Sequence, residues 1–545
     1  MRKRILATIL TAALLFAAFS GCAKGNSPGT SAAPTGSAES GTGTASTFSG
    51  YPMKKEDVKL KWYVGSGYGL NSAYATADES PFHSGLEKQV GVDIEWSFPT
   101  AGTDEKQAFN VMLSSGDLPD IFFYYIMSDA QRYMDEKVIR DLSGSLEKNS
   151  PNYWAWIHTK PEYDRAVKTD AGQYYGYCFF REDGGWNDSY QGPLIREDWL
   201  KALSLKEPKT VSDWDAVLKA FKEKYNATFS SPAGRFKPSV FIAGAFGAYG
   251  NINSSYYVDK NNKIQLAQAQ PEWKAYMQQM SKWWKEGLID QDILTAEDSN
   301  VQTKALNGKT GFAYTSMGQV SNWEKDAKDA KNGAEWAGIE YPTGDDGTLS
   351  AVFGGYGIGN GMTVITTACT DDKLETAMRV LDYAYSKEGQ LYWNFGKEGN
   401  SWEYNDKKEV EYLPLVTEDK DGLNNAIDKY GGATWQGPCI QLTRLLHLKN
   451  TETAIKANDT WFYKHQDVTS KWTVPSSVTY TTEESDKMDE YNSAIDTYVS
   501  EQATKFLTGE ESLDSFDNFV SQLNSMGLPE VLKIRQAAYD RYLAR

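Results

Sequence analysis

The sequence predicts an α/β fold. Strand-like and helix-like segments alternate over the first 80 residues of the body, with links of only a few residues, and further amphipathic helices recur to residue 545. Val58 to Val64 reads as a strand, Gly65 to Gly69 as a loop, and Glu79 to Val90 as a helix that Gly91 ends. Val92 to Phe98 alternates like a second strand. Thr103 can cap a helix running to Ser115, with Gly116 as its stop. Ile121 to Tyr125 is a continuous apolar and aromatic strand. Strand–helix–strand–helix–strand with short links implies a parallel sheet with right-handed crossovers. Ligands then sit beyond the C-terminal strand ends, a place that Tyr68 and Tyr125 would share.

Asp198 to Leu205 and Ser212 to Lys222 read as two helices, with Ser212 as an N-cap. Tyr256 to Asp259 and Lys263 to Leu266 flank Lys260-Asn261-Asn262 like a hairpin. Pro271 opens a helix whose Trp273, Tyr276, Met277, Met280, Trp283 and Trp284 follow core-facing spacing. Leu374 to Tyr385 is another amphipathic helix, and Leu513 to Arg545 reads as two helices broken at Gly527-Leu528-Pro529. No internal repeat is present.

At 545 residues, the chain is long enough for three to four domains of about 150 residues each, or for two large lobes. Its net charge of −17 argues against nucleic acid, where Lys and Arg must replace counterions on phosphates. With 40% hydrophobic and 24% charged residues it is neither disordered nor an integral membrane protein. Its 17 Trp, 33 Tyr and 22 Phe offer ring surface that a ligand could use.

Arg2, Lys3 and Arg4 precede the apolar stretch Ile5 to Phe19, which is too short to span a membrane. Residues 1–21 read as a signal peptide. Phe19-Ser20-Gly21-Cys22 resembles the lipobox of bacterial lipoproteins, with Phe19 where Leu is favoured. That resemblance implies that Cys22 carries lipid and becomes the mature first residue. Of residues 23–50, all but Lys24, Asn26, Glu39 and Phe48 are Gly, Ser, Thr, Ala or Pro. Residues 22–55 therefore read as an anchored, flexible tether with a reach of about 30 Å. The mature chain, three cations poorer, carries −20. Attachment must then come from acyl chains, not from headgroup attraction. Cys178, Cys369 and Cys439 form no C-x-x-C pair; one disulfide is possible, and buried free thiols are expected.

Several segments together resemble the extracellular solute-binding proteins of ABC sugar importers, within the maltose-binding-protein-like superfamily. The nearest likeness is to its large Gram-positive lipoprotein branch of aldouronate and oligosaccharide type. Ser115 to Ile121 (S-G-D-L-P-D-I), Ile195 to Leu200 (I-R-E-D-W-L), Tyr257 to Ile264, Lys285 to Asp290 (K-E-G-L-I-D) and Asn307 to Gly311 carry it. So do Tyr383 to Gly399, Phe506 to Glu510 and Met526 to Arg545, spread over nearly the whole body. The resemblance implies a two-lobed periplasmic-binding-protein-like fold with hinge strands and an interlobe cleft. By analogy, lobe 1 holds 56–185 and 360–430, and lobe 2 holds 186–359 and 431–545.

A pyranose needs aromatic rings for its C–H face and polar groups for its hydroxyl rim. Four loops fit: Tyr68 with Asn71; Tyr124 with Tyr125; Ser316 to Gly318 with Trp323, a loop that touches sugar in maltose-binding-like proteins; and Phe353 to Gly357, with Gly355 and Tyr356, at a hinge. Trp186 and Trp435 also sit in polar or glycine-containing loops. For each aromatic, the competing reading is packing under a loop. Arg196 could clamp a uronate carboxylate, but a local pairing beside the helix at Asp198 is expected.

No metal or cofactor is expected. Tyr225 to Ser231 has too few carboxylates for the calcium loop of part of this branch, and Lys263 and Gln270 spoil an EF-hand pattern from Asp259. Gly25 to Gly29 matches G-x-S-x-G inside the tether, away from any strand-to-helix elbow. The Walker-like Gly308-Lys309-Thr310 lacks the first glycine, since Thr303 stands there. The four histidines are scattered. The expected function is a non-enzymatic, monomeric, lipid-anchored binding protein on the extracellular face of the cytoplasmic membrane. It would deliver an oligosaccharide to ABC permease subunits. The alternatives are a secreted carbohydrate hydrolase, which needs a carboxylate pair in its cleft, and a structural lipoprotein without a small ligand.

Overall fold

Alternating burial along Val92–Ser97 and the apolar run Ile121–Tyr124 make these segments strands of one sheet, one half-buried and one wholly interior. The computed structural model describes residues 48–65, 74, 76–99, 103–250, 255–350, 357–434, 437–466 and 471–545. In chain order its strands are β1 (Lys55–Val64), β2 (Val92–Ser97), β3 (Ile121–Tyr124), β4 (Tyr177–Arg181) and β5 (Gln191–Arg196). Then come β6 (Thr228–Ser230), β7 (Tyr256–Val258), β8 (Ile264–Leu266), β9 (Thr310–Ser316) and β10 (Trp336–Gly338). The last four are β11 (Ile358–Ile365), β12 (Trp402–Tyr404), β13 (Val410–Tyr412) and β14 (Ile440–Gln441).

The larger sheet has the order β14-β4-β11-β3-β1-β2. β1 pairs in parallel with β2 and β3, as the alternation of strands and helices predicts, while β11 runs antiparallel between β3 and β4. The smaller sheet has the order β10-β5-β9-β6. β7–β8 is the expected hairpin, turned at Asn262 with φ 57°. The helix Pro271–Lys285 buries Trp273, Tyr276, Met277, Met280 and Trp283 as its spacing requires.

Two helix starts move. Asp104, not Thr103, caps Glu105–Ser115. Thr210, not Ser212, caps Val211–Tyr225, because Asp213 completes a capping box with it while Ser212 bonds Asp345.

Two separate cores follow. The first gathers residues from Leu60 to Phe180, from Met362 to Ile427, and also Ala433, Cys439, Ile440 and Leu445. The second gathers residues from Trp186 to Tyr341 and from Leu446 to Tyr542. The chain thus passes between the two cores three times: after β4, before β11 and after β14. Cys178, Cys369 and Cys439 are buried free thiols, and burial pushes Cys369 up to about 12.

Candidate ligand cleft between the two cores

The three crossings are bound to one another where they meet. Arg181 Nη1 donates to Asp188 Oδ1 at 2.7 Å, and Asp188 Oδ2 accepts from the Gly357 N–H at 2.7 Å. Asn187 Nδ2 donates to Gln441 Oε1 at 2.7 Å. Gly357 (φ 77°) passes so near the Gly184–Gly185 turn that a Cβ there would lie 2.9 Å from Gly184 backbone, so only glycine fits. Asp188 is buried, and burial lifts its carboxyl above the ordinary value against the opposing pull of Arg181.

A cavity of about 790 Å³ opens on this junction, within the range of small-ligand sites. Arg181, Asn187, Asp188 and Ile358 to Asn360 form its hinge wall, and Ser128 and Asp129 enter from beyond β3. Tyr190, Arg235 and Ser316 to Gly318 come from the second lobe. The outer wall is the irregular segment Thr473 to Val478 with Tyr480, backed by Met488 and Arg535. The Tyr480 N–H donates to Ser128 O at 2.9 Å, and Ser485 Oγ donates to Asp129 Oδ1 at 3.0 Å, so this wall touches both lobes.

The cavity's cations are positioned with care. Arg235 pairs with Asp298 at 3.1 Å and Lys449 with Asp428 at 4.0 Å; burial pulls the Lys449 ammonium down. Arg535 lies 3.8 Å from the Tyr256 ring centre and donates to Tyr480 Oη at 3.1 Å. Such a set of oriented N–H donors, hydroxyls and amides suits a hydroxyl-rich solute.

Of the expected site residues, Ser316 lines this cavity. Tyr68, Asn71, Gly355, Tyr356 and Trp435 lie outside the described residues, as does Cys22. Tyr125, 42% exposed, packs beside Phe123 and Tyr124 and is not part of the cavity wall. Trp186 and Trp323 pack in the second core and are not among the residues lining the cavity. Gly185 (φ 129°) turns the chain inward, so Trp186 is 5% exposed in the second core, its Nε1 donating to Asp459 Oδ1 at 2.8 Å. Trp323 belongs to the helix Met317–Ala330, on the buried stripe with Val320 and Ala327, edge-on to Trp336. Arg196 takes the local role: it grips Asp198 at 2.8 and 2.6 Å and stacks on Trp199.

Arg181, Arg235, Lys449, Arg535 and the 473–480 wall were not anticipated. The only signal was the polar run Pro475-Ser476-Ser477 between apolar segments. Among the described residues, no group of three or more His, Cys, Asp or Glu could hold a metal ion. Asn226 (φ 50°) ends the helix Val211–Tyr225, and β6 begins two residues later.

The family model for bacterial extracellular solute-binding proteins matches residues 83–394. The fructooligosaccharide ABC transporter substrate-binding protein FusA of Streptococcus pneumoniae serotype 4 is 24% identical over 490 residues, covering 84% of this chain and 86% of that protein. Lipoprotein LipO of Bacillus subtilis is 22% identical over 496 residues, covering 86% and 91%. Among solved structures, the alginate-binding protein AlgQ2 without calcium ion superposes with a TM-score of 0.72 at 23% identity, over 89% of this chain and 98% of that one.

Proposed function

Because this chain belongs to the family of bacterial extracellular solute-binding proteins, we propose that it captures an oligosaccharide in the cavity between its lobes and delivers it, uncleaved, to an ABC importer permease. The carrying observation is the cavity itself, built where the three crossings meet and lined by fixed N–H and hydroxyl donors from both lobes. The likeness to a fructooligosaccharide-binding relative supports the solute class. Ser316, Tyr190 and Arg235 are the described side chains we assign to the ligand. We take the two cores as the two lobes, with the crossings as hinges.

We further propose that Cys22 is lipidated and that residues 23–50 tether a monomeric body outside the membrane. The lipobox-like sequence and the likeness to a lipoprotein support this. Among the described residues, no helix is long and apolar enough to cross a membrane. Changing Cys22→Ala should move the protein from the membrane fraction to the medium.

A panel of oligosaccharides read by thermal shift tests the main reading. A ligand at 100 times its Kd should stabilise by about 2.7 kcal/mol. Mass spectrometry should return that ligand intact. No response to any oligosaccharide overturns the solute class, and a shortened product would mark a hydrolase.

A further inference from the structure

We propose that Asp170, Arg541 and Arg545 form a latch between the lobes, making these three side chains positioning residues that hold the outer cavity wall and keep the cleft shut. Asp170 lies on the first-lobe loop between the helix Pro161–Ala166 and β4, beside Val167 and Tyr174 of the first core. Arg541 and Arg545 lie at the end of the second-lobe helix Leu528–Ala544, whose Ala538, Tyr539 and Tyr542 belong to the second core.

The contacts are dense. Arg541 Nε donates to Asp170 Oδ2 at 2.6 Å, and Arg545 Nε donates to Asp170 Oδ1 at 2.9 Å. One carboxylate thus takes two guanidinium groups from the opposite lobe. The Arg545 side chain is 1% exposed, so it has left water almost completely. Its Nη1 donates to first-lobe carbonyls of Arg165 (3.2 Å) and Lys168 (2.5 Å), and to Ser477 O at 3.1 Å. Its Nη2 also bonds Thr479 Oγ1. Arg541 adds a second arm to Glu484 Oε1 at 2.9 Å, wholly within the second lobe.

This arrangement ties lobe position to cavity shape. Ser477 and Tyr480 line the cavity, and Tyr542, on the same helix turn as Arg541, reaches it too. The segment 473–480 has almost no regular ladder of its own, so side-chain hydrogen bonds hold its back: from Arg545 to Ser477 O and Thr479 Oγ1, from Arg541 to Thr479 O and from Arg535 to Tyr480 Oη. A buried guanidinium without its carboxylate is strongly disfavoured. Separating the lobes at this edge must therefore strip Arg545 of Asp170 and of two carbonyls together. Such a contact is made or broken as a unit, and its strength weights the closed form against the open one.

Ligand-free protein suffices as a test, so the outcome does not depend on which solute binds. Small-angle X-ray scattering is recorded on wild type, D170A, D170N and E484Q. The expected result is a radius of gyration larger by at least about 1 Å in D170A, an intermediate expansion in D170N, and none in E484Q, which loosens contacts within the second lobe alone, the Arg541 arm and the Thr481 cap. Hydrogen exchange should quicken at least tenfold across 473–480 in D170A, and not in β1 or β3. Unchanged scattering with a lowered Tm would show permanent packing and overturn the latch, as would equal expansion in E484Q. If D170A does not fold by circular dichroism, D170N against E484Q decides by the same criteria.

Discussion

The cavity has two walls built in opposite ways. The hinge wall is made of chain crossings whose backbone and side chains bond one another directly: Asp188 joins Arg181 to Gly357, and Asn187 joins the first crossing to Gln441 of the third. The outer wall, Thr473 to Tyr480, is a loop held from behind by side chains reaching out of the helices Thr482–Thr508 and Leu528–Ala544. The first wall is part of the fold and moves only by rotation about it. The second is carried by one lobe and meets the other through a few polar contacts, so it can part from it. Changes in the hinge wall should therefore read out as stability, and changes near the outer wall as affinity.

The largest effect is expected at the hinge. D188A leaves Arg181 buried without its carboxylate and frees the Gly357 N–H, which should cost about 3–5 kcal/mol in urea unfolding. W186A should cost a similar amount, about 3–5 kcal/mol, as a core truncation, with little change in the affinity of the protein that remains folded. On the other side of the comparison, R535Q should weaken oligosaccharide binding roughly tenfold by calorimetry, about 1.4 kcal/mol, while leaving urea stability nearly unchanged. If R535Q proved as destabilising as D188A, the two walls would not differ in kind.

The smallest effect is a pH limb. His465, buried with Nδ1 2.9 Å from Ser350 O and its ring beside Tyr341, is held below its ordinary value of 6.5 by burial. The unfolded chain then binds the proton more readily. Stability from this group is complete above about pH 6.5 and erodes as the pH falls below it. H465Q should flatten that limb of a Tm–pH profile and leave the alkaline side alone.

Much of the fold was legible because its signals are local. Val92–Ser97 alternates, Pro271–Lys285 carries a continuous apolar stripe, and Gly116 and Gly287 stop their segments with positive φ. The helix Thr482–Thr508 was missed because its buried residues, such as Met488, Ile495 and Val499, are widely spaced among charges. The site was harder to read. A loop-like sequence around an aromatic reads as exposure to ligand, yet Trp186 and Trp323 turn inward, since a large ring gains most by joining a core. Arg181, Arg235 and Arg535 come from three distant segments, and their roles arise from partners such as Asp188, Asp298 and Tyr256 that only the tertiary fold brings near.

The threefold passage of the chain between cores also bears on how the protein matures. The first core begins at Leu60 but is finished only by Ile440 and Leu445, and the second begins at Trp186 and ends at Tyr542. A chain leaving a translocation channel from its N-terminus cannot complete either core until most of its length has emerged. β1, β2 and β3 can pair early, but β11, the next neighbour of β3, and β14, at the far edge beyond β4, arrive some 240 and 320 residues after β3. Long-range pairings of that kind slow folding and keep apolar strands exposed in the interval. The lobes should accordingly fold, and unfold, as one interdependent body rather than as two beads, with the stretch between about 181 and 440 as the period of greatest exposure to proteases and chaperones.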